Sequence, residues 1–167
     1  MKDKIPLELE GLLNCFPEIA PPIILSQEVV HRFSKQNKPL SQQDLTNFFS
    51  KWEDFDDITE IVPCCRIKSK EGFLILVYWK ASLLKHEYKL LTLSKQAEHI
   101  SLKVIGGLNS NGDSILQSVA TIDDDLCIYT VVGLANKEGQ LLSEQQAWKF
   151  QILPDGLIHS EKESITK

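Results

Sequence analysis

Cys64 and Cys65 stand side by side between Pro63 and Arg66. Paired thiolates can hold a metal or cycle to a disulfide, but zinc ligand pairs usually leave a gap of two to four residues so that both side chains converge. On a strand, neighbouring side chains point to opposite faces. Ile61, Cys65 and Ile67 would then share one side, and Cys64, Arg66 and Lys68 the more polar other side. The spacing predicts a strand rather than a site; the alternative is a reactive, exposed Cys64 beside Arg66.

Just upstream, Glu53, Asp54, Asp56, Asp57 and Glu60 crowd together with Trp52 and Phe55. Such a run is ordinarily a solvated connector. With two aromatic anchors it also has the composition of an acidic surface that docks a basic partner. A second acidic group, Asp123 to Asp125, reads as a turn, because aspartate bonds its own backbone there. A calcium loop centred on Gly112 would need acids at Gly107 and Ser118 and lacks both. The histidines do not assemble. His31 belongs to a helix, and His86, His99 and His159 lie at strand ends, with His86 and His99 out of register for one hairpin. No cofactor is implied: a phosphate loop, a dinucleotide fingerprint and a zinc helix are all missing from the sequence.

Gly112-Asp113-Ser114-Ile115 resembles the nucleophile motif of the GDSL-type serine esterases, and Asp155 with His159 resembles their Asp-x-x-His block. The resemblance implies a serine activated by histidine, with an acid orienting the imidazole. It departs from the family in position, since Ser114 lies far from the N-terminus, and in spacing, since Asp155 and His159 are one residue too far apart.

The elements that would hold these residues follow from periodicity. Residues 1–55 read as helical, 56–160 as an antiparallel meander and 161–167 as a disordered tail, all within a single domain, 1–167. Ser41 caps a helix with Asp44 at its third position; Leu45, Phe48, Phe49 and Trp52 form its apolar face. Before it, Ser26 would cap a helix whose buried stripe is Val29, Val30 and Phe33, and Pro39 separates the two. A weaker helix covers 6–14, and 15–23, with three prolines, reads as an extended connector. Beyond Ile61 the period becomes two, with strands expected at 61–69, 72–80, 86–94, 99–106, 113–122, 126–133, 146–153 and 156–160, joined by short turns that make neighbours antiparallel. Residues 73–79 are apolar throughout, which predicts a central strand covered on both faces. The glycines ending 103–107 and 129–133 predict bulges or sharp curvature. The expected fold class is α+β: N-terminal helices packed against one face of a curled antiparallel β-meander of about six to eight strands.

The 167 residues are 43% hydrophobic and 25% charged, with a net charge of −5, an ordinary globular balance that disfavours nucleic acid as a partner. No apolar run is long enough to span a bilayer, and the charged N-terminus lacks the core of a secretory signal. Four cysteines without CxxC spacing suit a reducing compartment. Together these point to a cytoplasmic protein.

The first expectation for function is a non-catalytic intracellular interaction module. It would dock a basic protein through Trp52, Glu53, Asp54, Phe55, Asp56, Asp57 and Glu60. The alternative is a small-molecule pocket between the curled sheet and the helices, lined by Tyr78, Trp79, Tyr88 and Tyr129. A serine esterase is the third.

Overall fold

The computed structural model describes residues 4–142 and 145–163. Three helices, α1 (Leu7–Leu13), α2 (Val29–Gln36) and α3 (Gln42–Asn47), precede the main sheet, and α3 is followed by a 3-10 turn at Phe49–Lys51. The strands are β1 (Ile23–Leu25), β2 (Glu60–Ile67), β3 (Leu74–Ser82), β4 (Lys85–Leu93), β5 (His99–Ser110), β6 (Ser114–Ile122), β7 (Cys127–Asn136), β8 (Gln146–Ile152) and β9 (Ile158–Glu163). β2 to β9 pair in chain order, all antiparallel, and β1 adds to β6. The expected α+β fold with its curled meander is therefore the observed one. β9 continues three residues into the segment expected as a tail; 164–167 lie outside the described residues.

Local chemistry explains the starts. Ser41 Oγ accepts from the Asp44 N–H at 3.0 Å, and the Asp44 carboxylate accepts from the Ser41 N–H at 3.0 Å, a reciprocal capping box. Ser26 does not cap α2 as expected. Its carbonyl instead accepts the Tyr88 hydroxyl at 2.6 Å, because Ile23–Leu25 just before it is drawn into the sheet as β1. That short strand begins at Ile23, the last residue of the stretch expected as a connector.

β1 exists because β5 leaves its neighbour. β5 pairs with β6 only through Gly107–Ser110, and β1 takes over the same edge of β6 at Ala120–Ile122. The departure occurs at the expected glycines. Register between β4 and β5 steps between Tyr88–Gly106 and Lys89–Val104, leaving Ile105 as the extra residue. Gly107 has φ of 137°, and a Cβ there would stand 2.0 Å from the His86 carbonyl oxygen. Gly133 makes no bulge, for the β6–β7 register runs unbroken through it; its bare Cα instead leaves room for the side chain of Leu141.

The curl brings distant strands together without closing the sheet. Thr130 Oγ1 of β7 donates to the Ile105 carbonyl at 2.7 Å. The β8–β9 turn folds back so that the Gly156 carbonyl accepts from Thr92 Oγ1 at 2.6 Å. β2 and β9 remain the two ends of the meander.

Two cores result, one on each face of β3. Ile75, Val77 and Trp79 join β1, α2 and the interior of the curl. Leu76 and Tyr78 meet Leu9, Leu12, Phe16 and Phe49 from the α1 and α3 side. The apolar run 73–79 is thus covered on both faces, as expected, although β3 lies next to the end strand β2 rather than at the centre. The helices do not all pack against one face: Phe33 of α2 lies in one core and α1 in the other. With β3 apolar on both sides, each face needs its own cover.

Candidate functional site

The acidic segment is organised by one buried carboxylate. Glu53 is 8% exposed and follows the 3-10 turn that ends at Lys51. Tyr78 donates its hydroxyl to Glu53 Oε1 at 2.7 Å, Lys80 Nζ donates to Oε2 at 2.8 Å, and Lys89 Nζ donates to Oε1. Tyr78 and Lys89 are cross-strand partners, and Lys80 lies two residues along β3 on the same face. Burial pushes the Glu53 carboxyl up, but hydrogen bonds from Lys80, Lys89 and Tyr78 outweigh it and hold the group below the usual glutamate range. Glu53, expected to be exposed as part of a docking surface, is buried instead.

What rests on this anchor is a short, well-braced loop. Lys80 Nζ also donates to the Asp54 carbonyl at 2.7 Å. Asp56 Oδ1 accepts from the Ile58 N–H at 3.1 Å and from the Thr59 hydroxyl at 2.8 Å, an Asx-type turn that lowers the Asp56 pKa. Between these fixings Asp54, Phe55, Asp57 and Ile58 face solvent, with Phe55 36% and Ile58 67% exposed. Trp52 is half-buried against Phe49, ring centroids 5.3 Å apart, at the edge of the α1–α3 core. The sequence reading missed Ile58. Its signal was present, an aliphatic residue directly after two aspartates and too early for the alternation of β2.

Glu60 turns to the other face. It pairs with Ala81, which pairs with His86, so the three form a row across β2, β3 and β4. With Trp79, Val62, and Val30 and His31 of α2, this row lines an open cleft of about 490 Å³. Trp79 stands edge-on to His86 at 5.5 Å and to Tyr88 at 4.7 Å. Of the aromatics expected in a pocket, Trp79 alone borders this cleft. Tyr78 and Tyr88 are wholly buried, and Tyr129 of β7 lies beneath Lys149 Nζ, 5.9 Å from its ring centre. The sequence offers no signal that pairs His31 with His86, because the helix docking that joins them is tertiary.

The cysteine pair departs from the expected alternation. Register steps between Pro63–Tyr78 and Cys65–Val77, which makes Cys64 the extra residue of a bulge. Both thiols consequently enter the same core, together with Val62 and Ile67, while Ile61 faces the other. Asn37 braces the bulge, its Nδ2 donating to the Pro63 carbonyl at 2.7 Å and the Cys64 carbonyl at 2.9 Å. Cys64 is fully buried, not a reactive surface thiol; burial raises its pKa and pushes that of Cys65 up to about 12.

The serine and histidine of the esterase-like motifs are not brought together. Ser114 pairs with Asn136 at one end of β7, whereas His159 reaches Cys127, at the other end, through Gln151. The length of β7, about 30 Å, separates those rows. Ser114 Oγ donates to Asn111 Oδ1 at 3.1 Å, and Asp155 accepts from the Leu157 N–H at 3.0 Å, so both serve turns. Asp125 likewise accepts from the Cys127 N–H in its own turn. Among the described residues, no group of three histidine, cysteine or acidic side chains is placed to hold a metal ion. No protein-family model, curated protein or solved structure matches this chain.

Proposed function

We propose that the protein is a non-catalytic interaction module that docks a basic partner through the loop 54–58. The observation that carries this reading is the pairing of a buried anchor with an exposed tip. Glu53 and Asp56 fix the loop from below and within, and it presents Phe55 and Ile58 amid Asp54 and Asp57. A preorganised loop loses little conformational entropy on binding. Its apolar side chains supply buried area, and the carboxylates select a cationic rim and speed encounter.

The test keeps the loop's own braces intact. A variant carrying Asp54→Asn, Phe55→Ala, Asp57→Asn and Ile58→Ser retains Glu53, Asp56 and Thr59. Native mass spectrometry on gently purified protein should find a basic partner with the wild type and none with the variant. Equal recovery with both, or no partner with either, would overturn the proposal.

A second reading has its own supporting observation. The cleft between α2 and the β2–β4 face offers an indole, two imidazoles and a carboxylate around about 490 Å³, within the size range of small-molecule sites. A co-purifying small molecule whose binding is lost on Trp79→Leu or His86→Ala would favour it.

A further inference from the structure

At the far end of β2 from the acidic loop lies a cluster of cations, of which Lys68 and Lys70 also border an adjoining cleft with Glu71, Asp124 and Asp125. Arg66, Lys68 and Lys70 border a cleft of about 300 Å³ with Lys95 from the β4–β5 turn, and Glu18 is the one carboxylate in its lining. This concentration is unexpected in a chain of net charge −5. Among the described residues the ion pairs are Lys80–Glu53, Lys89–Glu53 and Lys85–Glu87, so none of the four cations is in one. Arg66 Nε is, in addition, buried without a hydrogen-bond partner. Four cations so arranged repel one another, and the buried Arg66 Nε is left unsatisfied.

The backbone that carries Arg66, Lys70 and Lys95 is braced. The backbone of Arg66 is clamped at both ends, its N–H donating to the Pro17 carbonyl and its carbonyl accepting from the Ile19 N–H, each at 3.0 Å. Lys95 sits in a turn where Ser94 Oγ accepts from the N–H groups of Gln96 and Glu98. Ser69 Oγ accepts from the Glu71 N–H in the β2–β3 turn that carries Lys70.

We propose that this cleft binds a small, at least doubly charged oxyanion, with a phosphate ester as the ligand class. The Arg66 guanidinium would supply the planar fork that matches phosphate geometry, and Lys68, Lys70 and Lys95 the surrounding point charges. The half-buried Leu74 at the border accommodates a modest organic group. The site is independent of the docking loop.

The probes are inorganic phosphate and pyrophosphate, titrated against sodium chloride at matched ionic strength. Binding is followed by nuclear magnetic resonance at the Arg66, Lys68, Lys70 and Lys95 amides and by the thermal midpoint. Saturable shifts confined to this cleft are expected, tighter for pyrophosphate. Arg66→Gln should weaken binding about tenfold or more, the worth of a charge-assisted hydrogen bond. Since Arg66 is half-buried, the exposed pair Lys68→Gln and Lys70→Gln provides a second variant with the fold left intact, and it should weaken binding in the same direction. Shifts that merely follow ionic strength, that saturate elsewhere, or that persist unchanged in the Lys68/Lys70 variant would overturn the proposal.

Discussion

Glu53 concentrates more electrostatic consequence than any other side chain of the acidic segment. Its carboxylate satisfies two ammonium groups and a phenol whose own ionisation is suppressed by burial and by the carboxylate itself. Replacing it with glutamine leaves Lys80 and Lys89 charged, largely buried and unpaired. The expected loss is about 3–5 kcal/mol of stability in urea denaturation. Tyr78→Phe removes only one hydrogen bond to a charged acceptor and is expected to cost about 1.5–3 kcal/mol. The pH dependence follows from the lowered pKa. The contribution of Glu53 is complete above the unfolded glutamate value of about 4.3 and is lost as pH falls through the lower folded value. The stability gap between wild type and Glu53→Gln should therefore be constant at neutral pH and shrink below about pH 4. A gap that grew on acidification would mean that the carboxyl is not held ionised.

Register steps at three places in the sheet, at Cys64, Ile105 and Ile100, and the first two each have a separate brace. At Cys64 the brace is Asn37, and Asn37→Ala strands two backbone carbonyls. The expected cost is about 2 kcal/mol, read from the urea midpoint. At Ile105 the brace is the absence of a side chain on Gly107. Gly107→Ala places a Cβ against the His86 backbone at a positive φ, and is expected to cost more than about 3 kcal/mol or prevent folding. Gly112→Ala is the control, with φ of 97° but nothing within 4 Å, so only about 1 kcal/mol of backbone strain is expected. Similar losses at the two glycines would show that the close approach at Gly107 is not what shapes the sheet.

Across the molecule, burial shields all four cysteines: Cys64 and Cys65 lie in one core, Cys15 in the other, and Cys127 is covered at the start of β7, outside both. Cys15, Cys64, Cys65 and Cys127 are free and buried. Burial leads the causes that raise each pKa, so the reactive thiolate is disfavoured in every case. Native protein is expected to react with a thiol-specific reagent only as it opens, with four thiols released at once in denaturant. Rapid labelling of Cys64 or Cys65 in native protein would contradict the shared buried position of the pair. Charge is also distributed at this scale, with the acidic loop before β2 and the cationic cleft after it, about 25 Å of strand between them. The no-membrane expectation meets a narrower observation: no helix among the described residues is long and apolar enough to cross a bilayer.

The sequence by itself determined what depends on neighbours in the chain. Period-two alternation and turn residues located the eight strands of the meander, the Ser41 cap located α3, and Gly106–Gly107 marked the bend, because these signals act within a few residues. Tertiary structure decided what depends on partners far along the chain. The Cys64 bulge shifted the alternation by one residue, so both thiols faced one way and Ile61 the other. β1 formed because β5 vacated an edge of β6, a vacancy that 23–25 does not encode. Glu53 and Glu60 looked alike as members of one acidic run. One was buried between lysines of β3 and β4 and the other turned toward α2, since only the folded sheet distinguishes its two faces.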